Sequence, residues 1–521
     1  MSTREMPFPR SSGVLLHITS LPGRYGIGDL GQEAREFVDN LSAAGQSYWQ
    51  VLPIGPTGFA DSPYQCLSSF AGNPNLIALD QLQSWIPPHA LDDTPPFRHR
   101  RVEYETVIPW HDEMLSLVYE GFVIQGGRQD KDFLAFCQEN AYWLDDFALF
   151  TAIKESHQQR PWVQWPKGEA FRSITDIEAA QDKHRARIEE HKFRQWIFFT
   201  QWNALREYAR ERGISLIGDI PIYAAHDSSD VWVNRPLFDL DENGYPRAVA
   251  GVPPDYFSPT GQLWGNPLYL WDQHKKKGYD WWIKRFRATL ALFDVVRVDH
   301  FRAFYDYWQI PGSAETAMDG TWRDGPRDAF FDVLGAALLE APGRALNQVL
   351  IAEDLGDKMT QVRAWKDAKG LAGMKILQFA FGDNEDDRIR FKPEKYDGAN
   401  DDPSIMYVGT HDNNTALGWW FNEATEPHRR DLTHALQEWH PNPISEISEP
   451  AWELIQMGLE SKERLFIMPL QDVLGLGNSG RMNKPGVTAG NWRWRYTREE
   501  LSDQMWKRLA QLTRQSERFK T

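Results

Sequence analysis

The sequence predicts an α/β protein, a (β/α)₈ TIM barrel with large insertions between barrel strands. Three observations predict it. Eight short apolar runs recur along the 521 residues, with helical patterns between them, as βα alternation requires. Eight fits a closed barrel better than a doubly wound sheet, whose usual count is about five or six. Four of the runs end in an acid, although a strand buried on both faces normally reads as apolar.

The runs are GVLLHI (13–18), YWQVLPI (48–54), ISLIGDI (214–220), DVVRVDH (294–300), QVLIAED (348–354), KILQFAF (375–381), IMYVGTH (405–411) and RLFIMPL (464–470). The interval 355–374 leaves room for only a small helix. The interval from 75 to 213 is far too long for one crossover. It holds Pro-Pro pairs at 87–88 and 95–96 and several helical patterns. One helix is predicted over about 175–212. Phe193, Trp196, Phe199, Trp202, Leu205 and Tyr208 form its apolar stripe, and Gly213 suits its C-terminal stop. The expected organisation is therefore residues 1–74 as the first part of a catalytic barrel, 75–190 as a mostly helical insertion, and 191–521 as the rest of the barrel. A second, loop-rich insertion is expected at about 221–290. No internal repeat or low-complexity tract is evident.

Composition narrows the function. Hydrophobic residues make up 41% and charged residues 25%, as in a soluble globular protein. With 57 basic and 73 acidic residues the net charge is −16, which argues against a nucleic-acid or anionic-membrane partner. Two cysteines, Cys66 and Cys137, exclude a disulfide framework and fit a reducing compartment. The start, MSTREMPFPRSSGVLL, lacks a long apolar leader core, and no run of about 18 apolar residues occurs. A cytoplasmic protein is expected. The 23 Trp, 17 Tyr and 28 Phe residues are mostly core, although such an excess of rings also suits stacking against sugars.

The acids at the strand ends are Asp219 in LIGDIP, Asp299 in VRVDHF, Glu353 in IAEDLG and Asp412 in GTHDNN. A single acid at a strand exit is often a helix N-cap. Four at equivalent ends of a barrel would surround one cleft, where barrel enzymes place their chemistry. Alternation puts Arg297 and Asp299 on the same side of their strand, about 6–7 Å apart along it. The plain reading is a buried ion pair. The functional reading is a carboxylate kept ionised by Arg297, ready to act as a nucleophile. Glu353 has no basic residue within three positions of it, and Asp354 and Asp412 would raise its pKa, as a general acid requires. One such pair is the pattern of a retaining glycosidase.

VRVDHFR, IAEDLG and VGTHDNNT together resemble the α-amylase clan. GVLLHITSLPGRYGIGDLG (13–31), YWQVLPIGPTG (48–58), DSPYQCLSSFAGNP (61–74), GDIPIYAAHDSSDVW (218–232), AGVPPDYFSPTGQLWGNPLY (250–269) and NKPGVTAGNWRWR (483–495) narrow the likeness to the 4-α-glucanotransferases, or amylomaltases, of glycoside hydrolase family 77. It runs from about residue 10 to the C-terminus and is thin over 85–190.

The resemblance implies an α-retaining transglycosylase. Asp299 would be its nucleophile, Glu353 its acid/base and Asp412 its transition-state stabiliser. Arg297 would orient Asp299, His411 and Asp219 would contact the sugar at subsite −1, and Tyr64 would lie beneath that sugar. Tyr256 and Phe257 would belong to a mobile loop over the acceptor sites. Trp264, Asn266, Asn483 and Pro485 would be further glucan contacts. Donors and acceptors would be α-1,4-glucans and maltooligosaccharides, with glucose also an acceptor. No cofactor and no metal are expected. For Tyr256, Phe257 and Trp264 the competing reading is core packing, against which the surrounding Pro, Gly, Ser and Asp mark a loop.

The chain departs from the pattern at HDNNT, where HDNDT would be expected, and at DHFRA, where a glycine often follows FR. GLGNSG (475–480) has the spacing of a nucleotide-binding turn, but a loop follows it where a helix should begin. Asn413-Asn414-Thr415 is a formal glycosylation sequon without meaning in the cytoplasm. The rival readings are an α-glucan hydrolase using the same acids, and a silent glucan-binding barrel.

Overall fold

The computed structural model describes residues 8–87, 89–254, 258–398, 403–440 and 447–519. In chain order its strands are β1 (Ser11–Leu15), β2 (Tyr48–Gln50), β3 (Ser215–Ile220), β4 (Ala248–Val252), β5 (Gln262–Pro267), β6 (Val295–Val298), β7 (Asp306–Pro311), β8 (Thr321–Asp324), β9 (Leu350–Ala352), β10 (Met374–Ile376), β11 (Ile405–Tyr407) and β12 (Leu465–Pro469).

Eight of these form one parallel sheet in the order β10-β11-β12-β1-β2-β3-β6-β9. A parallel bridge between Ile351 and Ala372 joins β9 to the residues just before β10 and closes the ring. Each of the eight expected runs supplies one barrel strand, so the (β/α)₈ architecture holds. The strands are shorter than the apolar runs because the chain leaves the sheet within a few residues. β1 starts two residues early, at Ser11 and Ser12, which are buried but polar. Ser12 satisfies its hydroxyl by donating to Gln46 Oε1 at 2.8 Å. Between β9 and β10 the helix is indeed short, Thr360–Ala368.

The long connection from β2 to β3 carries helices Tyr104–Ile124, Lys131–Glu139, Ala141–Ser156, Ile174–Lys183 and Arg185–Glu211. The helix predicted over 175–212 is thus two, parted at His184. It ends as its glycine requires: Gly213 takes φ 73°, and the Ile214 N–H returns to the Ala209 carbonyl at 2.9 Å. Phe193, Trp202 and Leu205 are fully buried, each worth about 1.5–3 kcal/mol. Trp202 packs edge-on against Phe293 at 5.2 Å and donates from Nε1 to the Leu292 carbonyl at 3.1 Å. This contact braces the entrance to β6, the strand that carries Arg297.

The segment 221–290 is not only loops. β4 and β5 lie in it and join β7 and β8 in a four-stranded antiparallel sheet of order β5-β4-β7-β8. Glycine and proline within AVAGV and QLWGNP hide these strands from a pattern reading.

Candidate active site

β6 is buried along its whole length, Val295, Val296, Arg297 and Val298 alike. Its neighbours are β3 and β9, and the β3 register sets Asp219 directly beside Arg297. The guanidinium therefore reaches two carboxylates. Nη1 donates to Asp219 Oδ2 at 2.7 Å, and Nη2 lies 2.9 Å from Asp299 Oδ1. The Arg297 side chain is 4% exposed and that of Asp299 27%, so the cation is hidden and the acid it faces is open. Burial alone would lower the Arg297 pKa, but Asp219 and Asp299 outweigh it and hold the group cationic. Burial raises the Asp219 pKa against the pull of Arg297.

Just past Val298 the chain turns sharply. Asp299 N–H donates to the Ile220 carbonyl at 2.9 Å, and His300 takes the left-handed conformation, with φ 47°, a strained state for a residue with a side chain. That turn aims the His300 N–H at Glu353 Oε2, at 2.9 Å. The Leu355 N–H holds Oε1 at 2.8 Å. Burial pushes the Glu353 pKa up to about 7, with Arg297 opposing and Asp299 and Asp354 adding to the rise. The direction matches the sequence expectation, but the leading cause is burial rather than the neighbouring acids. Asp354 itself is tied into the fold by Lys366 Nζ at 3.1 Å and the Met374 N–H at 2.9 Å.

After β11 the chain presents His411 and Asp412. Asp412 is 44% exposed, and its Oδ1 lies 3.3 Å from His411 Nε2. Asn483 Nδ2 donates to the same oxygen at 2.6 Å. Burial lowers the His411 pKa, with Asp412 opposing, so the ring is neutral near pH 7. Tyr64 lies against it, ring centroids 5.0 Å apart and 17° from parallel. The Tyr64 hydroxyl donates to Asp219 Oδ2 at 2.9 Å. Tyr64 feels Asp219, Arg297, Asp299 and Asp412. Three segments remote in sequence thus meet around one tyrosine.

The other expected contacts divide. Trp264 is half-buried and stands edge-on at 4.9 Å to His300, the residue whose N–H holds Glu353. Asn266 is 5% exposed, and its amide is used internally. It donates to the Ala224 carbonyl at 3.0 Å and accepts from Gln65 Nε2 at 3.1 Å, so it holds its loop. Pro485 is exposed on the loop that carries Asn483. Tyr256 and Phe257 lie outside the described residues. Among the described residues no group of three His, Cys, Asp or Glu side chains stands together as a metal site. No helix among them is long and apolar enough to cross a membrane.

Two features escaped the sequence. The backbone N–H groups of His300 and Leu355 grip Glu353, and no side-chain pattern reveals them. Trp492 lies 5.7 Å from Tyr64 and 5.9 Å from His411. Its only signal was its place in the late NWRWR segment.

The family model for 4-alpha-glucanotransferases, glycoside hydrolase family 77, matches residues 16–501. The chain is 44% identical over 508 residues to the 4-alpha-glucanotransferase of Synechocystis sp., covering 97% of each. It is 43% identical over 517 residues to that of Thermus thermophilus, covering 99% of this chain and 100% of the relative. The amylomaltase from Streptococcus agalactiae, solved in complex with acarbose, superposes with a TM-score of 0.90 at 36% identity, covering 98% of this chain and all of that one. With that sequence likeness running through the barrel and the rim that carries these acids, the chain belongs to the 4-alpha-glucanotransferases of glycoside hydrolase family 77.

Proposed function

We propose that this 4-alpha-glucanotransferase works by retaining double displacement through a covalent glucosyl-enzyme. Asp299 is the nucleophile, Glu353 the acid/base and Asp412 the transition-state stabiliser. The observation that carries the reading is the unlike setting of two adjacent carboxyl groups. Asp299 faces a buried guanidinium at 2.9 Å, whereas burial pushes Glu353 up to about 7. An acid paired with a fixed cation suits attack, and an acid raised by burial suits proton transfer.

Glu353 protonates the glycosidic oxygen while Asp299 attacks C1, and the leaving glucan departs. Glu353, now ionised, takes the proton from the 4-hydroxyl of an acceptor, and an α-1,4 bond reforms with net retention. Positive charge grows on the sugar only between these states, so an anion fixed nearby, Asp412, stabilises the transition state selectively. Tyr64 supports the sugar ring at subsite −1, and Asp219 and His411 contact its hydroxyls. Trp264, beside His300, begins the acceptor side, to which the family resemblance also assigns Tyr256 and Phe257. Apolar rings there favour a sugar over water. Substrates are α-1,4-glucans and maltooligosaccharides, with glucose as a further acceptor. The unpaired thiols Cys66 and Cys137 support a cytoplasmic setting.

Incubation with maltotriose tests the reading. Transfer yields glucose together with chains longer than the substrate. Glucose and maltose alone would mark a hydrolase, and no turnover a silent glucan-binding barrel. Asp299→Asn should remove activity, and normal turnover in that variant would sink the assignment.

A further inference from the structure

A cation outside the catalytic group holds the segment that presents Asp412. Arg481 Nη2 donates to the Asp412 carbonyl oxygen at 2.9 Å, and its Nε donates to the Asn483 carbonyl oxygen at 2.8 Å. Asn483 in turn grips the Asp412 carboxylate, and its N–H donates to the His411 carbonyl at 3.1 Å. One guanidinium therefore fixes both the backbone of Asp412 and the backbone of the residue that orients its carboxylate.

The other end of Arg481 is set by an anion. Nη1 donates to Glu423 Oε1 at 2.8 Å, and the same oxygen accepts from Asn414 Nδ2 at 2.9 Å. That amide nitrogen also donates to Asn478 Oδ1 at 2.5 Å, so it uses both protons. Position 414 is where the sequence reads HDNNT in place of HDNDT. An ionised aspartate is an acceptor only. It would set an oxygen against Glu423 and Asn478, both accepting, and would add a second charge beside Arg481.

We propose that Arg481 is a positioning residue for Asp412 and that Asn414 and Glu423 are a matched pair that fixes Arg481. The proposal rests on the role given above to Asp412. Charge stabilisation that operates only in the transition state depends on preorganisation, and a displacement of about 1 Å can cost on the order of 10²-fold in rate. The consequence belongs in kcat. Neither Arg481 nor Glu423 is assigned a sugar contact, so KM should move little. A lysine at 481 keeps the charge without the fork that serves three acceptors at once.

The test compares Arg481→Met, Arg481→Lys, Asn414→Asp, Glu423→Gln and the double variant Asn414→Asp/Glu423→Gln in maltotriose transfer, with thermal midpoints alongside. Arg481→Met should lower kcat by about 10- to 10²-fold with KM within about twofold of wild type, and Arg481→Lys should recover part of it. Asn414→Asp should lower kcat about tenfold, and the double variant should restore most of that loss, because a glutamine amide at position 423 can donate to the new carboxylate at position 414. A wild-type kcat in Arg481→Met, or a double variant no faster than Asn414→Asp, overturns the proposal. A fall in thermal midpoint and a rise in KM that track kcat across the series mark a plain structural staple and overturn it too. Should Arg481→Met fail to fold, the Asn414/Glu423 comparison decides, since it leaves the cation in place. Asp412→Asn is the control. Normal turnover there sinks the role of Asp412, whereas a slow Asp412→Asn beside an unimpaired Arg481→Met sinks the positioning claim alone.

Discussion

Asp299 and Asp219 share one cation, Arg297 standing 2.9 Å from the first and 2.7 Å from the second. The guanidinium can serve both because its donors form a planar fork. Arg297→Lys keeps the charge but offers a single point, so one acid loses its partner. Transfer of maltotriose should slow by about 10²-fold or more, the usual scale for removing a preorganised electrostatic contact. Arg297→Met also leaves a buried carboxylate uncompensated, at a cost of roughly 3–5 kcal/mol. Wild-type turnover in Arg297→Lys, or an unchanged urea midpoint in Arg297→Met, contradicts this account.

Glu353 makes two predictions about pH. Its pKa is pushed from an ordinary 4.5 to about 7 by burial, and the proposed mechanism requires the protonated form in its first half-reaction. kcat/KM should therefore fall as pH rises through that value, approaching tenfold per unit above it. The sign for stability follows from the same shift. The folded state binds the proton more tightly than the unfolded state, so the group's contribution is full below about 4.5 and is lost as pH rises toward 7. Glu353→Gln carries no such charge. It should lose activity by about 10²- to 10⁴-fold, while its thermal midpoint falls less than wild type's between pH 5 and pH 8. Parallel midpoints across that range would show that burial does not act on Glu353 as described.

The barrel was legible because a strand buried on both faces is a dense apolar run, and Arg297 and Asp299 stood out by interrupting one. Their shared side followed from alternation alone. The partnership of Arg297 with Asp219 did not, because it depends on the register of β3 against β6, a pairing between segments 78 residues apart. Glu353 was read correctly in direction and incorrectly in cause, since burial is a property of the fold and not of its neighbours in sequence. The second sheet was missed where glycine and proline break the alternation of β4 and β5. Asn266 illustrates a further limit. Its place in LWGNP marks it, but only the structure shows its amide spent on Ala224 and Gln65.

Tyr64 separates ring from hydroxyl. Its face lies against His411 at 5.0 Å, and its hydroxyl donates to Asp219 at 2.9 Å. Tyr64→Phe keeps the platform and leaves Asp219 with Arg297 alone, so KM for maltotriose should rise severalfold with kcat modestly reduced. Tyr64→Ala removes a stacking contact worth about 0.5–1.5 kcal/mol as well, and it leaves the His411 ring packed by Trp492. Its kcat/KM should therefore fall clearly below that of Tyr64→Phe. Equal values in steady-state kinetics would deny the ring any part in holding the sugar.

Arg518 closes the opposite end of the problem, the stability of the barrel floor. It is 1% exposed, and burial pushes its pKa well down. Its guanidinium donates to six backbone carbonyls, those of Ser11, Gly458, Leu459, Ser461, Glu463 and Arg464. Five of these acceptors lie where the last turn of the helix Pro450–Glu460 runs into β12, Gly458 and Leu459 in the helix and Ser461, Glu463 and Arg464 after it. Ser11 opens β1, the strand paired with β12. The C-terminal segment thus pins two adjacent barrel strands at their starts. Arg10 grips the same turn, donating to the Ser461 carbonyl at 2.8 Å and the Leu459 carbonyl at 3.2 Å, but it cannot reach all the acceptors that Arg518 serves. Arg518→Ala takes from the Glu463 carbonyl its guanidinium partner, whereas Arg10 still serves the Leu459 and Ser461 carbonyls, Ser461 the Gly458 carbonyl and the Ser11 N–H the Arg464 carbonyl. A buried carbonyl left unpaired costs about 1–3 kcal/mol where water cannot enter. A total loss of about 1–3 kcal/mol is expected, with kcat per folded molecule unchanged because no reacting group moves. Removing residues 518–521 should reproduce that loss, and Arg518→Lys should fall between. Urea unfolding followed by tryptophan fluorescence measures all three. A wild-type midpoint in Arg518→Ala would mean that the turn holds itself, and a selective loss of kcat in the folded protein would tie the floor to the catalytic rim.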